Sequence, residues 1–206
     1  MSQIGAVLFD FGGVLAEEGF MKGMESLAQE QRLDVKNLSA AGAQAVYDSG
    51  FVLGQGSEAD FWSLLRERTG LVGDDPSLTA RVLAGFRLRP WMLELVVDLK
   101  AQGYVTAILS DQTHWLDVLD MKYHFYRYFD RVYNSFNLGK GKRDPSQFGD
   151  VAADLEMQPS AIVFIDDNAD YVQSAIAAGM RGIHYTDRLQ FIKTLTNLLS
   201  IDQPKT

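Results

Sequence analysis

The sequence predicts an α/β chain: a mostly parallel sheet covered by helices on both faces, with an inserted block of helices capping one end. Two observations predict it. Short, continuously apolar runs alternate with helix-like stretches, the pattern of strands buried on both faces and joined by crossover helices. That alternation is broken once, over residues 16–88, where helix-like patterns alone occur.

The first element, residues 4–9, is a compact apolar run ending in Asp10 and the chain-bending pair Gly12-Gly13, so it reads as a strand followed by a loop. Inside the break, Met24, Leu27, Ala28 and Gln31 begin a helical pattern, followed by residues 40–47, 58–68 and 77–86. Pro90 suits the first position of a helix over residues 91–101. Strand-like runs then fall at 105–109, more weakly at 132–133, and at 161–165 and 182–185. Helices are expected at 115–124, 146–155, 169–178 and 189–199, and residues 202–206 read as a loose tail. Residues 1–15 and 89–206 therefore form a Rossmann-like three-layer α/β core, and 16–88 a helical cap domain. The alternative is that the inserted helices merely extend the core.

Composition narrows the function classes. The 206 residues suffice for one sizeable core and a smaller accessory module. A formal charge of -8 argues against a nucleic-acid backbone binder, which needs a basic face. It leaves room for a phosphorylated small molecule, because a bound metal makes a local positive site in an acidic protein. The absence of cysteine excludes disulfides, thiolate catalysis and cysteine metal sites. His114, His124 and His184 show no ligand spacing. No apolar run approaches the roughly 20 residues that span a bilayer, and no secretory signal is visible. The expectation is a cytoplasmic protein with no membrane or nucleic-acid partner, a monomer or homodimer.

Folds of this kind place chemistry beyond the carboxyl ends of their strands. Asp10, Ser110-Asp111 and Asp166-Asp167 each follow a predicted strand, so the fold should gather them in one crevice. A lone Asp after a strand is commonly a turn former or helix cap. Two adjacent carboxylates before a helix repel one another unless a cation or hydrogen bonds offset the charge. Magnesium prefers such oxygen ligands and keeps waters beside one or two carboxylates and substrate phosphates. One carboxylate can then attack phosphorus while the metal screens its charge. A lysine with backbone or hydroxyl donors would complete a phosphate cradle. Metal binding without catalysis is the competing reading.

Four landmarks in order resemble the haloacid dehalogenase-like hydrolase superfamily, in particular members with a helical cap between the first two motifs. They are Val7-Leu8-Phe9-Asp10-Phe11-Gly12-Gly13-Val14-Leu15; Leu109-Ser110-Asp111, approached through Leu88-Arg89-Pro90 and Gly103; Ser135-Phe136-Asn137-Leu138-Gly139 with Lys142-Arg143-Asp144-Pro145; and Phe164-Ile165-Asp166-Asp167-Asn168, with Ala175, Ala178 and Gly179 downstream. The resemblance covers essentially the whole chain. It implies a Mg2+-dependent phosphatase acting on a small phosphorylated metabolite, such as a sugar phosphate. Asp10 would be the nucleophile forming an aspartyl-phosphate, and also a metal ligand with the Gly12 carbonyl and Asp167. Ser110, with Asp111, Gly12 and Gly13, would bind phosphate. Lys142, rather than Lys140, would neutralise Asp10 and the transferring group. Asp166, Asn168 and His114 are assigned supporting roles.

The chain also departs from the pattern. Most phosphatases that it resembles carry a second Asp two residues after the nucleophile, which protonates the leaving oxygen and then activates water. Here that position is Gly12, although members with this Asp-x-Gly variant resemble sugar-phosphate phosphatases. Glu17 or Glu18 from the cap junction, Asp111 as a water-orienting group, or His114 are the candidates to compensate. Arg143 replaces a usual Pro, and Tyr171 an Asn or Asp. Dehalogenases of the superfamily have an aromatic residue at position 12 and Asn after the motif serine, so Gly12 and Asp111 disfavour that chemistry. Phe20, Phe51, Phe61, Trp62 and Phe86 are expected in the cap core or its interface, with a substrate pocket as the alternative. Arg66, Arg68, Arg87 and Arg89 are expected to face solvent, with an anionic substrate as theirs.

Overall fold

The structure, a computed structural model, describes residues 3–201. The expected tail, 202–206, lies outside the described residues. Four helices follow the first strand in sequence: α1 (Gly19–Gln31), α2 (Val35–Asp48), α3 (Glu58–Thr69) and α4 (Asp75–Leu83). The remaining helices are α5 (Pro90–Ala101), α6 (Trp115–Tyr123), the short α7 (Ser135–Leu138), α8 (Ser146–Asp154), α9 (Ala169–Ala177) and α10 (Arg188–Ile201).

Five parallel strands form one sheet. They are β1 (Ala6–Phe9), β2 (Val105–Ser110), β3 (Arg131–Asn134), β4 (Ile162–Asp166) and β5 (Arg181–His184), in the order β3-β2-β1-β4-β5. Alternate side chains of the inner strands enter two separate cores, which is why these strands read as continuously apolar. Val7, Phe9, Ile108 and Ile165 pack with α5, α6 and α10, whereas Ala6, Leu8, Ala107 and Phe164 pack with α8 and α9. The edge strands β3 and β5 are partly exposed, and their apolar signal is correspondingly weaker.

The order reverses between β1 and β4, and there a crevice opens at the carboxyl ends of the strands. Phe9 is level with Ile108 on β2 and Ile165 on β4, so Asp10, Ser110 and Asp166 emerge at nearly the same height. The Asp10 amide donates to the Ile165 carbonyl at 2.9 Å, extending the ladder up to the site.

Among α1 to α4, α1 packs against α2 and α4, and α2 against α3. Their apolar interior is continuous with one face of the sheet. Phe51 and Phe61 meet Trp115 of α6 edge-on, with ring centroids 5.4 and 5.9 Å away. Several of these helices begin earlier than the apolar periodicity predicts. Carboxylates supply the starts: Glu18 accepts from Met21 N, Asp34 from Asn37 N, and Asp74 from Ser77 N. A capping carboxylate lies outside the apolar stripe, so the stripe does not mark the helix start that the cap sets. The four residues of α7 are too few to display a period, and this helix was not expected.

Candidate active site

The crevice is a cleft of about 630 Å³, with Asp10, Ser110, Asp111, Lys142, Asp166 and Asp167 along its polar side. Asp10 stands one residue beyond β1, Ser110 and Asp166 are the last residues of β2 and β4, and Lys142 comes from the loop between α7 and α8. Lys142 is the central cation. Its side chain is 2% exposed, and its ammonium lies 2.6 Å from Asp166 Oδ2 and 2.9 Å from Asp10 Oδ1. Burial pulls this lysine down, but the carboxylates of Asp10, Asp166 and Asp111 outweigh burial and hold it protonated, above the usual lysine range. Lys140, two residues earlier, instead bonds Asp150 and Ser146 outside the cleft.

Oxygens of Asp10, Asp166 and Asp167 lie within 4.8 Å of one another. Three carboxylates thus share one lysine. Burial, then the charge of Asp10, pushes Asp166 up to about 7, and the same two causes raise Asp167. Asp10 Oδ1 is buried and accepts no hydrogen bond among the described residues, since the nearby ammonium is badly angled for one. A buried carboxylate oxygen without a hydrogen bond, in an all-oxygen cluster with surplus negative charge, fits a hard divalent cation.

Around this centre the remaining expected residues take distinct places. Asp111 faces the cleft but is engaged twice: Oδ1 accepts the Lys142 amide at 2.8 Å, and Oδ2 the Tyr47 hydroxyl at 2.7 Å. Asn168 caps α9 through Oδ1 and donates its own amide to Asp166 Oδ1 at 2.7 Å. Gly12 lines the cleft, whereas Gly13 packs under Asp167 with φ at +78°; a Cβ there would lie 2.0 Å from Asp167 Oδ2. His114 is not among the residues lining the cleft. It sits between the rings of Phe51 and Phe136, 3.4 Å from Glu58 Oε2, at the junction of α3 and α6.

Phe20 lines the cleft, while Phe51, Phe61, Trp62 and Phe86 are buried in the hydrophobic core. None of the four arginines considered from sequence lines the cleft. Arg66 and Arg68 pair with Asp75 and Asp48, and Arg87 is exposed. Arg89 turns inward instead. Its guanidinium donates to the carbonyls of Gly13, Val14 and Ala16, clasping the loop that follows Asp10. The arginine that does line the cleft is Arg143, stacked 3.3 Å above the centre of the Tyr47 ring, and Tyr171 lines the cleft beside Tyr47. Arg143 and Tyr171, both noted as departures, thus converge on one residue of α2. The Tyr47 contact to Asp111 and the Arg89 clasp span 64 and more than 70 residues, and no local pattern announces them. His184 was also overlooked; its Nε2 lies 2.9 Å from the Asp167 carbonyl.

The family model for haloacid dehalogenase-like hydrolase matches residues 4–179. The chain belongs to this family of hydrolases. The sesquiterpene phosphatase astK of Aspergillus oryzae is 27% identical over 200 residues, covering 94% of this chain and 96% of that protein. Flavin mononucleotide hydrolase 1 of Arabidopsis thaliana is 27% identical over 123 residues. That match covers 59% of this chain and only half of the Arabidopsis protein. A predicted HAD-like hydrolase from Porphyromonas gingivalis superposes with a TM-score of 0.72 at 25% identity, covering 96% of this chain and 98% of that one. A HAD family enzyme of Bacteroides thetaiotaomicron, solved in complex with magnesium and inorganic phosphate, has the same fold. Its TM-score is 0.66 at 22% identity, over 90% of this chain and 94% of that one. No described helix is long and apolar enough to cross a membrane.

Proposed function

We propose that this hydrolase cleaves a small phosphate monoester, with magnesium, through an aspartyl-phosphate on Asp10. The observation that carries the reading is Asp10 itself: a buried carboxylate at the strand-order reversal, beside a buried lysine and open to the cleft. Asp10 and Asp167, with the Gly12 carbonyl, would hold the metal, and Asp166 would keep Lys142 in place. The bound cation supplies positive charge against the phosphoryl oxygens and against the surplus of carboxylates.

Everything else falls to the chain. Lys142 balances the charge of Asp10 and of the phosphoryl group, so that a nucleophilic anion can approach an anionic ester. Ser110, buried at the end of β2, offers its hydroxyl to a phosphoryl oxygen. Asp111 ties the Lys142 backbone to Tyr47, and so couples the phosphate site to the helices above it. Asp10 attacks phosphorus, the alcohol departs, and water then releases phosphate from the aspartyl group.

Residues 16–88 act as the cap of this reading, and 1–15 with 89–206 as the catalytic core. The cap side of the cleft is largely apolar, with Phe20, Met21, Ala43, Val46 and Val52 joined by Trp115. That lining favours an ester whose alcohol carries apolar surface, in keeping with the Aspergillus relative, beside the sugar phosphates suggested by the Asp-x-Gly motif. The setting is that of a cytoplasmic monomer or homodimer. The test is phosphate release from sugar phosphates, nucleotides, isoprenoid monophosphates and an aryl phosphate, with and without magnesium, and with Asp10→Asn alongside. Release that requires both magnesium and Asp10 is expected. Folded protein that binds magnesium but releases nothing would instead support a metal- or metabolite-binding role.

A further inference from the structure

We infer that Glu18 is the proton-transferring group of this site, delivering its carboxylate from the start of α1 into the space that Gly12 leaves open. The inference rests on the phosphate-ester reading above.

Gly12 does not hold its place for conformational or steric reasons. It has no left-handed φ, and a Cβ built on it would meet nothing closer than 3.8 Å. The space beyond is shared by three side chains. Gln112 Nε2 lies 3.8 Å from that Cβ position, and Glu18 Oε1 and Phe86 Cε1 each lie 3.9 Å from it. Gln112 and Phe86 cannot exchange a proton in this chemistry. Glu18 can. It is six residues farther along the chain, half-buried, and lines the same cleft as Asp10.

Its two oxygens have separate situations. Oε2 caps α1 by accepting the Met21 amide at 2.7 Å, which fixes the carboxylate in position. Among the described residues no hydrogen bond engages Oε1, the atom nearer the Gly12 space. Asp167 is assigned to the metal in the reading above, and most of the other ionisable side chains of the cleft are already committed. Lys142 is paired with Asp10 and Asp166, Asp111 accepts two hydrogen bonds, and Tyr47 donates to Asp111. Arg143 is stacked on Tyr47, and His184 contacts the Asp167 carbonyl. The charged groups acting on Glu18 are Asp167, after β4, Asp10, after β1, and Lys22 on its own helix. Burial raises its carboxyl above the usual range; the Met21 amide opposes this, and Asp167 and Asp10 add to it.

The step balances without a further reagent. An Asp10 oxygen bonds to phosphorus as the ester P–O bond breaks, and the departing oxygen takes the proton of Glu18. Glu18, now a carboxylate, accepts a proton from water as that water bonds to phosphorus and the Asp10–phosphorus bond breaks. Alcohol and inorganic phosphate leave, and Glu18 is protonated again.

The experiment compares Glu18→Gln with the wild type, in magnesium chloride, on two esters: p-nitrophenyl phosphate, whose leaving group needs no proton, and an alkyl phosphate, whose leaving group does. Glutamine keeps an oxygen for the Met21 amide, so the urea midpoint should not move. The expected result is a loss of roughly 10²–10⁴-fold in kcat/KM for the alkyl ester and less than about tenfold for the aryl ester. Gly12→Asp placed on the Glu18→Gln background should recover much of the alkyl rate, since a side chain fits there. Equal losses on both esters, or none on either, would overturn the assignment and leave Glu18 as a helix cap only. Wild type that hydrolyses both esters while Asp10→Asn hydrolyses neither establishes the hydrolase reading independently. Wild type inactive on both would refute that reading, and the role of Glu18 with it.

Discussion

Replacing Lys142 with methionine tests the electrostatics of the site without reference to any substrate. The methionine keeps the length and apolar stem of the lysine but removes the ammonium of a buried side chain that serves two carboxylates, Asp10 and Asp166. Removing one partner of a buried ion pair costs about 3–5 kcal/mol, because the other charge is stranded. Against a total stability of about 5–15 kcal/mol, that is a large share. The loss should depend on pH. With the lysine present, Asp166 is already pushed up to about 7, against 3.8 in the unfolded chain, so the folded state holds its proton more tightly. Stability from this group is therefore full at low pH and is lost as pH rises through 7. Without the ammonium the carboxyl rises further, so the deficit relative to wild type should be smaller near pH 5 than near pH 8. Urea denaturation in EDTA, followed by the fluorescence of the buried Trp62 and Trp115, measures it. Adding Asp166→Asn removes one stranded charge and should restore a large part of the loss. A deficit below about 1 kcal/mol at pH 8, or one that does not change with pH, would refute the view that Lys142 neutralises this cluster.

Three further outcomes follow from the geometry around Asp10. Gly13→Ala should impair magnesium-dependent turnover and lower stability, since its Cβ would collide with Asp167 at a positive φ, whereas Gly12→Ala should fold normally; equal urea midpoints for the two would contradict this. Asp167→Asn should raise the magnesium concentration needed for half-maximal activity, and an unchanged titration would remove Asp167 from the proposed ligand set. Arg89→Ala frees three carbonyls of the loop after Asp10; a stability loss of about 2–3 kcal/mol and a reduced kcat/KM are expected, and wild-type values for both would discount the clasp.

Much of the fold was legible because its signals are local. The inner strands are buried on both faces, so they are apolar throughout, and the turn glycines and helix-starting Pro90 mark their ends. The order of Asp10, Ser110 and Asp166 along those strands is enough to bring them to one level, because parallel register carries consecutive strand ends to the same edge. Helix starts in the inserted block were read late, since capping carboxylates carry no apolar period. Other assignments needed pairs of residues far apart in sequence. Nothing local distinguishes Lys142, whose ammonium reaches Asp10 and Asp166, from Lys140, which bonds Asp150; the choice rested on resemblance until the loop after α7 was seen to turn one inward and one outward. His114 and Arg89 make the same point in opposite directions: a histidine near the second motif turned to Glu58 and aromatic rings, and an arginine expected at the surface turned into the loop after Asp10.

The sequence by itself determined the layered sheet, the strand-end carboxylates and the family, because periodicity and short motifs depend on neighbours within a few residues. Only the tertiary structure decided which charges meet. The Tyr47–Asp111–Lys142 connection and the position of Glu18 beside Gly12 arise from the packing of the inserted helices over the sheet, and the arginine clasp from the meeting of the two chain segments that flank those helices. Their strength is set by burial and by separations of a few ångströms, and neither quantity is written in the order of residues.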